Sequence, residues 1–337
     1  MGASKTAIGD DVLAWLLEPG DPSIRYLTLV ELLGRSKKDS PVRRARRAIM
    51  ETGPVPKILA KQRGGAYWER PEEFYCGKIY RGTVWTLILL AELHADGDDP
   101  RIHNACEFLL DWSQDRASGG FAYRGSHDAG GEHDRVLPCL TGNMVWALAR
   151  FGYAGDPRWK QGVEWITKYQ RFDDGAPRAP KGWPFSTRKP CWGRHTCHMG
   201  VVKAIKALAE IPANRRTKAV KETIEDGVEY LLSHHIHKRS HDLSQVSRPQ
   251  WLKLGFPWLW DSDILEILEI LTCLGCRDKR MAEAVEVVEA KRRPQGYWLL
   301  EDDYFGRLQV DIEKRGRPSK WVTLTALRVM KRMRASG

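Results

Sequence analysis

The chain has 337 residues, of which 42% are hydrophobic, and a formal net charge of +11 at pH 7. This length supports one large domain or two ordinary ones, and no apolar run approaches the ~20 residues that cross a membrane. Because no helix-turn-helix, zinc-finger or RNA-binding signature accompanies the basic residues, we do not expect nucleic-acid binding. The charge suits a solvated basic face, a funnel for an anionic substrate such as a diphosphate, or a peripheral contact with a membrane.

The start of the chain and its cysteine content indicate a cytoplasmic protein. No apolar signal segment follows residues 1–5, so we do not expect export. The seven cysteines are an odd count in a long chain and do not suit a disulfide framework. We therefore expect the thiols to be free, buried or bound to metal in a reducing compartment.

Helical patterns alternate along the whole chain. The first cover residues 9–19, 24–33 and 41–50, and later ones are of two kinds. One kind is amphipathic, as in residues 102–110. The other is apolar nearly all round and comprises residues 84–90, 144–148, 201–211, 264–271 and 322–330. A helix without a polar face requires burial on every side.

The polar residues that open the second kind of helix recur at a nearly constant spacing. They are Arg25, Tyr80, Cys139, His195, Asp261 and Lys320, with steps of 55, 59, 56, 66 and 59 residues. A repeat of ~60 residues with two helices each gives six units. This predicts an all-α fold, an (α/α)6 toroid with inner and outer rings of helices, as one domain over residues 1–337. An open solenoid is the structural alternative. We expect residues 233–260 to form a long loop insertion at a rim or lid.

A short phrase of Gln, a spacer, Gly and an aromatic residue recurs between the units. Its copies lie in residues 62–68, 114–121, 170–183 and 295–298. The phrase resembles the QW-type motif of terpenoid cyclases and of protein prenyltransferase β subunits. The chain is similar to the single-toroid prenyltransferase/squalene-oxidase-repeat proteins of bacteria and archaea. This resemblance implies a toroid whose inner helices run the same way and share one mouth, and an enzyme acting on an isoprenoid.

The stretch Trp260-Asp261-Ser262-Asp263-Ile264 resembles the Asp-x-Asp-Asp acid motif of class II terpenoid cyclases. The resemblance implies that Asp263 is the proton donor and that Asp261 matches the first Asp, but Ile264 stands at the fourth position. Acid-initiated cyclisation needs a protonated carboxyl in a desolvated pocket. The alternative is structural, because Asp-Ser-Asp before a helix is also an ordinary N-cap.

Side chains near the same helix starts complete the predicted substrate site. Aromatic walls would stabilise carbocations, and cations beside helix N-termini would bind a diphosphate. The residues expected in these two roles are Trp85, Trp146 and Trp260 for the walls, and Arg81, Arg194 and Lys320 for the diphosphate.

Residues 191–200 hold two cysteines and two histidines just before an apolar helix. With a cysteine of the preceding unit, they are similar in residue type and spacing to the zinc ligands of toroidal lanthionine cyclases. The resemblance implies zinc bound by Cys139, Cys197 and His198, with Cys191 or His195 as a further ligand. Three N and S ligands with an open fourth position would activate a thiolate or water. Buried thiols beside a satisfied histidine are the alternative.

Three functions therefore remain open. The first is acid-initiated isoprenoid cyclisation by Asp263, with Asp261 and His195 as the other catalytic candidates. The second is zinc-dependent prenyl or thiol transfer at Cys139, Cys197 and His198. The third is a toroid without catalytic activity that binds a lipid or docks a partner subunit. Zinc is the one cofactor that the sequence suggests.

Overall fold

A computed structural model describes residues 9–76 and 78–334. Residues 1–5, on which the expectation about export depends, lie outside the described residues. The described part of the chain contains thirteen α-helices. They are Asp10–Leu16 (α1), Pro22–Leu27 (α2), Ser40–Glu51 (α3), Pro54–Leu59 (α4), Thr83–Glu92 (α5), Pro100–Ser113 (α6), Pro138–Arg150 (α7), Pro157–Tyr169 (α8), His198–Ala209 (α9), Lys218–Ser233 (α10), Ile264–Cys273 (α11), Ala282–Ala290 (α12) and Lys320–Arg334 (α13).

Helices α2, α5, α7, α9, α11 and α13 form an inner ring, and the other helices pack outside it. Thr28–Leu32 continues α2 as a π-helical turn. Neighbouring inner helices contact each other from α5 through α13, and α13 packs back on α2 and on its π-helical turn. The hydroxyl of Ser23 in α2 donates to the carbonyl of Leu93, at the end of α5, at 2.6 Å, so the ring closes. The predicted all-α toroid of six helical units is thus confirmed, and the open solenoid is wrong.

The two rings differ in burial as the apolar patterns predict. Every residue of α5 from Thr83 to Ala91 is buried, whereas α3 buries only Val42, Ala45 and Ile49. A spacing of three and four residues places a single apolar stripe on one face of an outer helix. The inner helices are covered on one side by the outer ring and on the other by the ring interior.

The recurring Gln-Gly-aromatic phrase fixes the start of the inner helices. In three copies the backbone N–H of the aromatic residue donates to a threonine hydroxyl at the start of the next inner helix: Trp68 to Thr83, Phe121 to Thr141 and Trp298 to Thr323. The indole N–H groups of Trp68 and Trp298 donate to carbonyls of the preceding outer helices. The phrase therefore links an outer helix, a connection and an inner helix by hydrogen bonds.

Three short antiparallel strand pairs lie in the connections. They are Gly125–Ser126 (β1) with Gly130–Gly131 (β2), Lys238–Arg239 (β3) with Asp242–Val246 (β4), and Trp298–Leu299 (β5) with Pro318–Ser319 (β6). The expectation of one irregular loop over 233–260 is corrected in part. Ser233 ends α10, β3 and β4 form a hairpin, and Pro249–Leu252 is a short 3₁₀ helix. No helix within residues 9–76 and 78–334 is long and apolar enough to cross a membrane.

The interior of the ring holds a buried network of charged side chains. Glu266 of α11 accepts hydrogen bonds from Lys203 (2.7 and 2.8 Å) and Lys206 (2.9 Å) of α9. Lys206 also pairs with Glu92 of α5 at 2.5 Å, and its ammonium lies 4.0 Å from the ring centre of Trp146 in α7. Burial alone would raise the pKa of Glu266, but the two ammonium groups hold it below its usual value. The network thus joins four of the six inner helices.

Replacing Glu266 with glutamine should strongly destabilise the ring. The Glu266→Gln change leaves two buried ammonium groups with one carboxylate, and breaking a buried ion pair costs about 3–5 kcal/mol. We expect the free energy of unfolding, measured by urea denaturation, to fall by that amount. The matched control is Glu222→Gln, because its partner Lys218 is 89% exposed and an exposed pair contributes less than about 1 kcal/mol. Equal effects of the two substitutions would show that the network does not stabilise the fold.

Candidate active site

Helices α5 and α11 begin at the same end of the ring, which we call the amino mouth. The indole N–H of Trp260, just before α11, donates to the hydroxyl of Tyr80, just before α5, at 2.6 Å. Residues 302–309, here called the mouth segment, lie across this end. Tyr304 of the mouth segment packs edge-on against Tyr80 with 4.6 Å between ring centres. Two of the helix starts predicted to share a mouth, those of α5 and α11, therefore meet under a covering segment.

Asp263 is the N-cap of α11 and is 4% exposed. Its Oδ1 accepts hydrogen bonds from the backbone N–H groups of Leu265 (2.9 Å) and Glu266 (2.8 Å), and its Oδ2 accepts one from Gly255 (2.7 Å). Burial raises the pKa of Asp263 to about 7, against the backbone hydrogen bonds that favour the carboxylate. The side chain is thus an N-cap and also a carboxyl that holds a proton near neutral pH.

A small cavity adjoins Asp263. Its volume is about 30 Å³, which is enough for a water molecule but not for an isoprenoid. Burial also raises the pKa of Asp261, which lines the same cavity. The lining combines carboxylic acids with aromatic rings: Asp261, Asp263, Asp302, Asp303, Phe256, Trp258 and Tyr304. Two of the three predicted catalytic residues therefore share one cavity.

Arg81 holds the mouth segment in place. Its guanidinium donates to the carbonyls of Leu308 (3.1 Å) and Gly306 (3.0 Å), and the side-chain amide of Gln309 donates to the Arg81 carbonyl at 2.8 Å. Arg81 was expected to bind a substrate diphosphate, and its donors are instead used to close the mouth. An isoprenoid would reach Asp263 only after the mouth segment moves.

The other predicted cations are also engaged by the protein itself. Lys320 pairs with Glu18 (2.7 Å) and Asp21 (2.5 Å). The guanidinium of Arg194 donates to the carbonyl of Ala176 at 2.7 Å. The expected diphosphate site of Arg81, Arg194 and Lys320 is therefore not assembled, because each side chain is bound to a different part of the chain.

The three predicted aromatic residues belong to different surroundings. Trp85 is buried and donates to the carbonyl of Cys76 at 3.1 Å. Trp260 is 37% exposed at the amino mouth. Trp146 belongs to α7, and its indole N–H donates to the carboxylate of Glu210 at 3.1 Å. The aromatic part of the Asp263 cavity comes instead from Phe256, Trp258 and Tyr304.

The cysteine–histidine stretch does not gather around one point. His198 opens α9, and its buried ring stacks on Trp251 with 4.3 Å between ring centres. Burial lowers the pKa of His198 to about 3, so the imidazole is neutral, and neither ring nitrogen has a hydrogen-bond partner among the described residues. The ligand atoms of Cys139, Cys197 and His198 are not all within 4.8 Å of one another. Zinc binding by this set stays a prediction that the geometry does not support.

Burial also weakens the thiols of this region as nucleophiles or ligands. It raises the pKa of Cys191 to about 11 and raises the pKa of Cys139 further. A thiol with a raised pKa is protonated at neutral pH, whereas the thiolate is the nucleophile and the metal ligand. All seven cysteines are free thiols, which agrees with the absence of a disulfide framework that the odd count predicts.

His195 belongs to a group that the sequence analysis did not identify. Its Nδ1 lies 3.1 Å from Oδ1 of Asp174, and Nε2 of His241 lies 3.5 Å from the same oxygen. Over residues 9–76 and 78–334, this is the one group of three His, Cys, Asp or Glu residues whose ligand atoms lie within 4.8 Å of one another. Asp174 and His241 were missed because they come from connections far apart in the sequence. His195 does not line the Asp263 cavity.

Glu313 is a half-buried acidic residue with a raised pKa that the sequence analysis missed. It accepts hydrogen bonds from the backbone N–H groups of Lys320 (2.7 Å) and Trp321 (3.4 Å), and so caps α13 much as Asp263 caps α11. Burial of the carboxyl raises the pKa of Glu313 to about 7. The surrounding residues 310–314 carry no motif that would indicate this role.

A much larger cavity opens at the opposite end of the ring, where the inner helices end. Its volume is about 890 Å³, and Arg43, Arg46 and Arg47 of the basic helix α3 lie in its wall. Arg46 pairs with Asp96, which is also in the wall, at 3.2 Å. The wall is rich in charges of both signs, so it lacks the continuous apolar surface that an isoprenoid tail requires.

Comparisons with known proteins find similarity among solved structures. No protein-family model matches the sequence, and neither does any curated protein. The fold is similar to the type II terpene cyclase MstE from Scytonema, with 14% identity over 95% of this chain and 98% of that chain and a TM-score of 0.43. An MstE variant in complex with the substrate geranylgeranyl dihydroxybenzoate is also similar, with 16% identity over 96% of this chain and 98% of that chain and a TM-score of 0.42.

The chain is also similar to a family 76 glycoside hydrolase from a bovine Bacteroides thetaiotaomicron strain. The identity is 12% over 98% of this chain and 71% of that chain, with a TM-score of 0.47. The similar structures thus include two enzymes of different chemistry, a terpene cyclase and a glycoside hydrolase.

The raised pKa of Asp263 should appear in the pH dependence of stability. Below about pH 4 the carboxyl is protonated in both states; between pH 4 and 7 only the unfolded state loses the proton. The stabilisation is therefore full at pH 4 and is lost as the pH rises to 7, by on the order of 4 kcal/mol. The unfolding free energy of the wild type relative to Asp263→Asn should fall by that amount.

The control for this measurement is Asp99→Asn at the N-cap of α6. A hydrogen bond from Arg101 lowers the pKa of Asp99 in the folded state, so its contribution is lost only as the pH falls below about 4. Asp99→Asn should leave the profile between pH 4 and 7 unchanged. A flat difference between wild type and Asp263→Asn over that range would contradict the raised pKa.

Loss of the Arg81 donors should loosen the mouth segment. In Arg81→Met the apolar stem stays and the hydrogen bonds to Leu308 and Gly306 are lost, so the amides of residues 303–309 should exchange about tenfold faster or more. Hydrogen exchange followed by mass spectrometry measures this, with α11 as the internal reference. Arg70→Met is the control, because its side chain is 75% exposed. Unchanged exchange of the mouth segment in Arg81→Met would show that Arg81 does not hold it.

Proposed function

We propose that this protein is an enzyme of terpene cyclase type that starts the cyclisation of an isoprenoid by protonating it, with Asp263 as the proton donor. The proposal depends on one observation: a buried carboxyl with a pKa of about 7 lies in the wall of a cavity that also contains aromatic rings. Such a carboxyl is protonated in about half of the molecules at pH 7, and its protonated form can transfer the proton to an alkene or an epoxide. Aromatic faces stabilise the carbocation that results.

The contacts of Asp263 suit the proton transfer. When the proton leaves, the new carboxylate keeps its three hydrogen bonds from the backbone N–H groups of Leu265, Glu266 and Gly255. These donors are already in place, so the conjugate base is stabilised without rearrangement. After ring closure, loss of a proton from the cyclic cation gives a neutral product, and water returns a proton to Asp263.

Access to the acid requires a conformational step. The cavity of about 30 Å³ is too small for the substrate, and residues 302–304 of the mouth segment form part of its wall. Opening of a loop and its closure over the substrate exclude water, which would otherwise capture the cation. The mouth segment is the element proposed for this role.

A second candidate is a toroid without catalytic activity that docks a partner protein. The observation that favours it is the ring interior, which is filled with charged side chains: Lys203, Lys206, Glu92 and Glu266. Because the ring interior holds these charged side chains, a partner protein would bind to the outer surface of the ring. The two candidates are distinguished by catalysis, because the cyclase would convert an isoprenoid into a product and the docking toroid would not.

The cyclase proposal is tested by incubating the protein with linear isoprenoids, their diphosphates and geranylgeranyl dihydroxybenzoate, and by analysing the products. We expect Asp263→Asn to reduce product formation by at least about 100-fold, because it removes the general acid. Asparagine is itself a good N-cap, so the helix start is preserved. The initial rate of the wild type should fall about tenfold per pH unit above pH 7, where the carboxyl loses its proton.

Asp99→Asn is again the matched control, since it alters an N-cap carboxylate on the outer ring. It should leave turnover unchanged. Equal product from wild type and Asp263→Asn would exclude Asp263 as the acid. Absence of turnover with every substrate, from a folded protein, would reject the cyclase proposal in favour of the docking toroid.

A further inference from the structure

We propose that Asp174, His195 and His241 bind a divalent transition-metal ion of the zinc class beside the amino mouth. This site differs from the cysteine–histidine set and does not depend on the cyclase proposal. Two imidazole nitrogens and one carboxylate oxygen form the ligand set. Their ligand atoms lie within 4.8 Å of one another.

The distances suit tetrahedral coordination. Ligands bound at about 2.1 Å in a tetrahedron are about 3.4 Å apart. Oδ1 of Asp174 lies 3.1 Å from Nδ1 of His195 and 3.5 Å from Nε2 of His241. A metal ion would therefore require only small side-chain movements.

Two connections bring the ligands together, one between α8 and α9 and the other between β3 and β4. Asp174 follows α8, His195 precedes α9, and His241 lies in the turn between β3 and β4. Backbone pairing between Asp174 and His195 fixes the first two. Gly175 provides room for the third, because a Cβ at this position would lie 3.1 Å from Nε2 of His241. An ion would cross-link the hairpin to the connection between α8 and α9.

A buried histidine, His234, lies beside the carboxylate of Asp174. Nδ1 of His234 lies 2.8 Å from the carbonyl of Tyr230 and donates its proton to it, so Nε2 faces Asp174. The distance from Nε2 to Oδ1 of Asp174 is 3.7 Å, too long for a hydrogen bond. Three imidazoles thus surround one carboxylate oxygen.

The ligand chemistry and exposure indicate which ion binds. Imidazole nitrogens favour zinc, cobalt and nickel over magnesium and calcium, which prefer oxygen ligands. The side chains of His195 and His241 are 59% and 67% exposed. Three protein ligands with a solvent-facing side leave a fourth position for water or for an oxygen of a bound ligand.

The test is titration of the full chain, freed of metal by a chelator, with Zn²⁺ and with Co²⁺. We expect one ion per chain by elemental analysis, a saturable rise in the thermal midpoint, and visible Co²⁺ absorption bands of a tetrahedral N/O site. His195→Ala, His241→Ala and Asp174→Asn should each weaken binding at least about tenfold. Circular dichroism should show that the variants stay folded, since both histidines are exposed.

His127→Ala is the matched control. His127 is exposed and lies 3.2 Å from the carboxylate of Asp128, so it repeats the His–Asp pair without the second histidine. Its substitution should leave binding unchanged. Equal weakening by His127→Ala and His241→Ala, or no saturable binding to the wild type, would overturn the proposal. So would loss of the ion in Cys197→Ser but not in His241→Ala, which would place the metal at the cysteine–histidine set.

Discussion

The carboxylate of Glu266 is the constraint on which the ring depends. It is 1% exposed, and both of its oxygens accept hydrogen bonds from ammonium groups of α9. Transfer of such charges from water is costly unless each finds its partner. A shift of one inner helix by a turn, about 5.4 Å, would leave a buried lysine without a carboxylate. The network therefore specifies how α5, α9 and α11 align, where apolar packing alone would tolerate other alignments.

The same network reaches the candidate acid. The backbone N–H of Glu266 donates to Asp263, while its side chain binds Lys203, which also donates to the carbonyl of Asp261 at 3.0 Å. The two acidic residues of the cavity are thus fixed by atoms of the ring centre. A proton donor on such a rigid support keeps its orientation while the covering segment moves.

The fold could be predicted from the sequence because its signals are local and repeated. All-round apolar helices, the spacing of about 60 residues and the Gln-Gly-aromatic phrase each recur several times. The N-cap role of Asp263 was also visible, since it depends on the next three residues only. Its raised pKa follows from burial, which the motif by itself does not determine.

The site beyond Asp263 could not be predicted in the same way. Cys197 and His198 are adjacent in sequence, but neighbours at a helix start point in directions about 100° apart, and His198 turned toward Trp251. The group of Asp174, His195 and His241 depends on how the connection between α8 and α9 folds on itself and against the β3–β4 hairpin. The sequence predicts a free cation at Arg81, because the carbonyls that accept its hydrogen bonds belong to the mouth segment, more than 200 residues later.

Closure of the ring has a consequence for how the protein is made. The seam between α13 and α2 is held by ion pairs such as Lys320 with Glu18 and Asp21, and Arg328 with Glu31. The first of these pairs spans 302 residues. Until α13 has left the ribosome, the apolar sides of α2 and α11 that pack against it stay exposed. Exposed apolar surfaces of this kind are prone to aggregate. Synthesis of this chain therefore includes a long interval in which the early units are made but cannot complete their core.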